Sequence, residues 1–228
     1  MMASSPLPAS ATPFVIALAQ HHTQVRAAQR LRQQVLNSKH LPTGLSLTAV
    51  GNVESDYLDR YCEHLLVRET THGEVIATAR LLGPEQAQKL GGYAAEENFD
   101  LIRLLPLRER LVEISHVCIH PDFQQAATVR RLWQGVRQYL HMGRYDYLMG
   151  SVSVGIADGG HVAASVYHRL QTARLAPIEW RVLPRYALPL HALNQQLVVR
   201  QPAWVKRYQH AGAYLCGEPA WDAHHNSA

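Results

Sequence analysis

The chain has 228 residues, 47% hydrophobic and 18% charged, a balance that supports one sizeable buried core and excludes a largely disordered protein. Lys and Arg number 22 against 18 Asp and Glu, a formal charge of +4, and the pI is near 9.1. That surplus suits an acidic protein partner or an anionic membrane face; with no basic–aromatic stripe, zinc finger or RNA-binding signature, it does not point to nucleic acid.

Residues 1–13 (MMASSPLPASATP) lack a basic segment followed by a long apolar block and read as a tail rather than a signal peptide. Nowhere does an apolar run approach the ~20 residues that span a bilayer. Residues 14–19 (FVIALA) suit a first strand. Val25, Ala28, Leu31 and Val35 then recur at helical spacing, which predicts an amphipathic helix ending near Asn37–Ser38. A polar loop with Pro42, Gly44, Gly51 and Asn52 leads into the acidic stretch Glu54-Ser-Asp56-Tyr-Leu-Asp59. Residues 64–69 and 74–82 are β-rich runs on either side of Thr-Thr-His72-Gly73, a hairpin in which glycine supplies a positive φ.

Gly83-Pro84 ends the second run, a loop-and-helix segment reaches Arg110, and residues 111–120 (LVEISHVCIH) form a strand stopped by Pro121-Asp122. Val129, Leu132, Trp133, Val136 and Leu140 make the clearest helical stripe, while Arg130, Arg137 and Arg144 fall seven apart on another line. Residues 145–154 are predicted as a strand, 159–172 as a helix, 177–190 as an extended connector, 202–212 as a helix and 213–216 as extended. The order β-α-β-β-β-α-β-α is that of an α/β (α+β) single domain, one central mixed sheet flanked by helices, over residues 14–222. Residues 223–228 read as a C-terminal tail. Three cysteines (Cys62, Cys118, Cys216) without paired spacing imply reduced thiols and a cytoplasmic setting. Of the 14 histidines, His116 and His120 are the nearby pair on a structured segment; zinc there would need a further ligand, and no metal is expected.

AAQRLRQQVL, DYLDRYCEHLLV, EVIATARLL, FDLIRLLP, LVEISHVCIHPDF, LWQGVRQYL, YLMGSVS and PAWVKRYQHAGAYLCGEPAWD, in that order over about residues 15–222, resemble the ornithine-lipid-synthesis acyltransferases. That family belongs to the haemolysin-like branch of the GNAT superfamily, and the resemblance implies its twisted sheet with splayed central strands. Acyl-homoserine-lactone and long-chain N-acyl amino acid synthases carry Glu-x-Asp-x-x-Asp, a strand-end Arg and Glu-x-x-Arg; the matching positions here are Glu54, Asp56, Asp59, Arg80, Glu113 and His116. The resemblance implies transfer of a long, 3-hydroxylated acyl chain from acyl carrier protein to the α-amine of ornithine, giving lyso-ornithine lipid. No bound cofactor is implied; the donor is the phosphopantetheine thioester of the carrier protein. An amphiphilic product implies peripheral contact of a cytoplasmic protein with the inner membrane face. Two other readings stay open: a synthase with another amine acceptor, and a degenerate GNAT fold that binds acyl carrier protein without catalysis. The chain departs from the pattern at His116, where arginine is usual, and at Arg32-Gln-Gln-Val-Leu36, where the family tends to Arg-Tyr-x-Val-Phe. Relatives also continue past Asn226-Ser-Ala into an Asp-Phe and a last apolar strand.

Amine acylation requires a deprotonated nucleophile, a polarised thioester carbonyl and a proton for the leaving thiolate. Glu113, on an otherwise apolar strand that pushes a carboxyl upward, is the expected base, or else a partner of Arg80 that ties two strands together. His116 either exchanges protons or packs on the sheet's other face; a β-bulge would bring it towards Glu113. Glu54, Asp56 and Asp59 are candidates to hold the acceptor's distal ammonium, Asp56 alternatively to cap a turn, and Arg32 and Arg80 to pair with them or with the acceptor carboxylate. The stretch Gln124-Gln-Ala-Ala-Thr-Val129 lacks the glycines that wrap coenzyme A pyrophosphate in related enzymes, which favours a carrier protein. Backbone amides of Val117 or Cys118 are expected to polarise the thioester, Arg130 and Arg137 to meet the carrier protein, and Tyr167 to protonate the thiolate.

Overall fold

The computed structural model describes residues 14–38, 54–199 and 203–228; the N-terminal tail and the polar loop around Pro42 and Gly51 lie outside the described residues. The first apolar run forms strand β1 (Phe14–Leu18), and the periodic stretch after it helix α1 (His22–Ser38). Ala28, Leu31, Arg32 and Val35 of α1 are all buried, because positions i, i+3, i+4 and i+7 share one helix face. A 3-10 turn (Tyr57–Arg60), capped by the Asp56 carboxylate, leads into β2 (Glu63–Glu69) and β3 (Val75–Leu82). Between them Gly73 sits at φ +73°, the left-handed geometry for which the hairpin selects glycine.

The chain continues through α2 (Pro84–Leu90), a 3-10 turn (Ala94–Glu97), β4 (Phe99–Asp100), a 3-10 segment (Ile102–Arg110) and β5 (Leu111–Ile119). Then come α3 (Ala126–Gly143), β6 (Tyr147–Met149), α4 (His161–Arg174), β7 (Leu183–Pro184) and α5 (Ala203–His210). Five strands form one sheet in the order β1-β2-β3-β5-β6, while β4 and β7 pair separately. Neighbours in the large sheet are antiparallel except β5 and β6, which are parallel. This is the mixed sheet flanked by helices that the element order implies.

Strand alternation sorts the two faces. Ala77, Ala79 and Leu81 join Leu132 and Val136 of α3 in the main core. Arg80 points the opposite way, to the face on which α1 packs. β5 and β6 pair only from Leu111↔Tyr147 to Glu113↔Met149. A Cβ on Gly150 would come within 2.9 Å of the Ile114 carbonyl oxygen, so the strands part from a point of close backbone approach, and β5 continues to Ile119 beyond it. This is the splay that the resemblance implies.

Two expectations are corrected. The strand expected at 145–154 is paired only over Tyr147–Met149, because past Gly150 the chain leaves β5. Val154 instead exchanges both backbone hydrogen bonds with Ala228, at 2.8 and 2.9 Å. Residues 223–228 are therefore not a free tail: Asp222 pairs with Ser227, which is buried. The 177–190 connector supplies β7 to the small sheet. Among the described residues no helix is long and apolar enough to cross a membrane.

Candidate active site

The site is built on a break in β5. Thr78 faces Cys118 and Arg80 faces Ser115, so His116 and Val117 together oppose the single residue Ala79, a β-bulge. His116 takes up the extra length at φ +49°. A regular strand would put Glu113 and His116 on opposite faces. The bulge turns His116 onto the α1 face instead, where its Nε2 lies 3.1 Å from Glu54 Oε1. Ser115, two residues from Glu113 and so on the same face, accepts a hydrogen bond from Arg80 Nε at 3.0 Å.

Around that point the acidic stretch and two arginines close on one another. Arg32, 1% exposed, donates from Nη1 and Nη2 to the two Asp59 carboxylate oxygens at 2.8 and 2.7 Å and from Nη2 to the Glu54 carbonyl at 2.8 Å. Its Nε pairs with the Glu54 carboxylate. Arg80 Nη1 donates to Asp56 at 2.6 Å and to Asp59 at 3.1 Å. Burial alone would raise the Asp59 carboxyl, but hydrogen bonds from Arg32 and Gln29 and the charge of Arg80 hold it well below the usual carboxylate range. Three carboxylates thus face two guanidiniums. Asp56, 31% exposed, has far more solvent access than Glu54 at 2% or Asp59 at 8%.

Glu113 stands apart from these pairs. Its carboxylate accepts the Ala94 and Ala95 amides at 2.7 and 3.0 Å, the free donors that open the Ala94–Glu97 turn. Burial outweighs those two bonds and pushes its carboxyl up to about 7. The alternative of a Glu113–Arg80 tie is corrected: the Arg80 guanidinium is occupied by Asp56, Asp59 and Ser115.

Other expected residues are spread along the fold. His120 donates its amide to Ile76, and alternation from there aims the Val117 amide at the open edge of β5 and the Cys118 amide at β3. Arg130 and Arg137 are exposed on α3, an 18-residue helix whose N-cap residue, Gln125, makes no side-chain capping bond. Tyr167 is buried in α4, and the charged groups that act on it are Glu218 and Arg181. One ligand atom each of Glu54, Asp56 and His116 lies within 4.8 Å of the others. That trio has metal-like spacing, but its neighbours are two guanidiniums.

Two participants escaped the sequence reading. Gln29 donates to Asp59 at 2.8 Å, and buried His64 donates from Nε2 to the Asp59 carbonyl at 3.0 Å. Gln29 was legible in principle, because it precedes Arg32 by three positions on the same helix face. An open cleft of about 550 Å³ leads to this corner, lined by His22, Val25, Arg26, Gln29, Asp59 and Cys62 among others. Burial pushes the Cys62 thiol up to about 12, which keeps it protonated.

A family described as an acetyltransferase (GNAT) domain matches residues 31–134. The L-ornithine N(alpha)-acyltransferase of Brucella abortus is 30% identical over 220 residues, covering 88% of this chain and 76% of that protein. The protein of the same name from Rhodobacter capsulatus is 26% identical over 230 residues, covering 96% and 86%. Among solved structures, the AHL synthase LasI is similar with a TM-score of 0.47 and 15% identity, over 68% of this chain and 79% of that one.

Proposed function

The chain belongs to the L-ornithine N(alpha)-acyltransferase family of GNAT proteins, and from that membership we propose that it transfers a long 3-hydroxyacyl group from acyl carrier protein to the α-amine of ornithine. The product of that transfer is lyso-ornithine lipid. The observation that carries the acceptor assignment is the charge imbalance at the bulge. Three carboxylates meet two guanidiniums, and Asp56, the most exposed of the three, is positioned to receive an ammonium. A monovalent ammonium suits that one-charge deficit better than a divalent metal, which would crowd Arg32 and Arg80.

The choice of nitrogen follows from acidity. An α-ammonium titrates near 8 and a Lys-like side-chain ammonium near 10.4. Glu113, at about 7, is matched to the first and far from the second, so it accepts the α-ammonium proton. The thioester carbonyl enters the opening between β5 and β6, and the Val117 amide polarises it. First-turn amides of α3 hold one phosphate of the phosphopantetheine arm. Exposed Arg130 and Arg137 then face an acidic carrier protein, and an amphiphilic product favours peripheral contact with the inner membrane face.

The test is a purified reaction with 3-hydroxyacyl carrier protein, with the matching acyl-CoA in parallel, against a panel of amino acids read by mass spectrometry. Nα-acyl-ornithine from the carrier-protein donor is expected. No acylated amine at all would sink the enzyme reading. Acylated glycine or tyrosine without ornithine would replace the acceptor, and equal turnover of acyl-CoA would overturn the donor assignment.

A further inference from the structure

Resting on the acyl-transfer reading, we propose that His116 is a second proton-handling catalytic residue, and that Glu54 is the positioning residue that fixes its tautomer. Glu54 is 2% exposed, and its Oε1 lies 3.1 Å from His116 Nε2. A carboxylate accepts and does not donate, so the contact favours the proton on Nε2, and in the neutral ring Nδ1 then keeps its lone pair. Among the described residues Nδ1 meets no hydrogen-bonding partner and is shielded from solvent. A buried, unpartnered ring nitrogen is a costly arrangement for a histidine that merely packs. Buried His64 Nδ1 is unpartnered too, but its Nε2 is spent on the Asp59 carbonyl, whereas His116 is the ring seated on the bulge, where its free nitrogen is available to a substrate proton. Glu54 is itself anchored by Arg32, through both its carboxylate and its carbonyl, which fixes the imidazole orientation from behind.

The proton inventory supplies a role that Glu113 cannot fill alone. Glu113 takes the first proton of the α-ammonium. As the C–N bond forms, the attacking nitrogen must lose a second proton, which passes to His116 Nδ1. As the C–S bond breaks, that proton moves from the imidazolium to the departing thiolate and gives a free thiol. One amide, one thiol and one net proton, released through Glu113, balance the reaction. Tyr167, whose charged neighbours are Glu218 and Arg181, is not used in this step. Glu54 and Asp56 lie beside His116; behind them stand Arg32 of α1 paired with Glu54, Arg80 of β3 paired with Asp56 and Asp59, and His64 of β2 beside Asp59.

His116 also offers a clean substitution. At φ +49° glycine is less strained than any L side chain, so His116→Gly removes the ring without stressing the bulge. With 3-hydroxyacyl carrier protein and L-ornithine, the variant should keep its melting temperature and its KM for ornithine within about threefold, while kcat falls by roughly 100-fold or more. Added imidazole should restore the rate in proportion to its neutral form. Independently of turnover, long-range ¹H–¹⁵N spectra of the wild-type chain should show the His116 ring as the Nε2–H tautomer, and Glu54→Gln should disturb that preference. Undiminished kcat in His116→Gly, loss of activity without imidazole rescue, or an Nδ1–H tautomer would overturn the proposal alone. A wild-type protein inactive towards every amine would overturn the transfer reading and this proposal with it, whatever the tautomer.

Discussion

Replacing Arg32 by methionine tests whether the carboxylate cluster is held by desolvated pairing. The side chain is 1% exposed and makes a bidentate bond to Asp59, a bond to the Glu54 carbonyl and an ion pair with the Glu54 carboxylate. Methionine fills much of the same volume but leaves Glu54 with His116 alone, and Asp59 with Arg80 and Gln29. Removing one partner of a buried pair costs about 3–5 kcal/mol, a large share of the roughly 5–15 kcal/mol that stabilises a typical domain. In a chain of this size each kcal/mol moves the melting temperature by about 2–4 °C, so Arg32→Met should melt about 6–20 °C lower. Arg32→Lys should fall between the two, because one ammonium cannot reproduce the planar fork. The assay is thermal unfolding by circular dichroism at pH 7. A melting temperature within about 2 °C of the wild type would refute the claim that these pairs are buried and coupled, since exposed pairs contribute only about 0–1 kcal/mol.

Further outcomes follow from the geometry elsewhere in the fold. Because burial raises the Glu113 carboxyl from its ordinary 4.5 to about 7, its contribution to stability is fully present below pH 4.5 and is lost as pH rises through 7. Glu113→Gln should remove that slope, which corresponds to on the order of 3 kcal/mol between the two limits, in urea titrations from pH 4 to 8. In the same variant the rise of kcat/KM through pH 7 should disappear and the rate fall by about 100-fold or more; full turnover would remove Glu113 as the base. In α3, a Cβ on Gly135 would lie 2.7 Å from Ile16 Cγ2 and 3.0 Å from both Leu65 methyls. Gly135→Ala should therefore push the helix from β1 and β2 and cost about 1–3 kcal/mol by overpacking, read as a lower urea midpoint. An unchanged midpoint would show that the contact yields freely.

The sequence carried the elements, because these depend on short-range pattern. The 25-28-31-35 stripe of α1, the 132-136 stripe of α3 and the alternation in β3 each follow from the fixed period of a helix or strand. The set Glu54, Asp56, Asp59, Arg80, Glu113 and His116 came instead from the resemblance to the lactone and N-acyl amino acid synthases. Periodicity says which face a side chain takes, however, and not what it meets there. Arg32 finds its partners 22 and 27 residues away, and Glu113 bonds to two amides of a turn rather than to Arg80. The closing segment at Val154 and Ala228 joins residues from opposite ends of the α4–α5 half of the chain. Above all, whether His116 faced Glu54 or the far side of the sheet hung on one extra residue in β5. A bulge reverses every facing beyond it and is set by pairing between strands, so only the folded sheet could decide it.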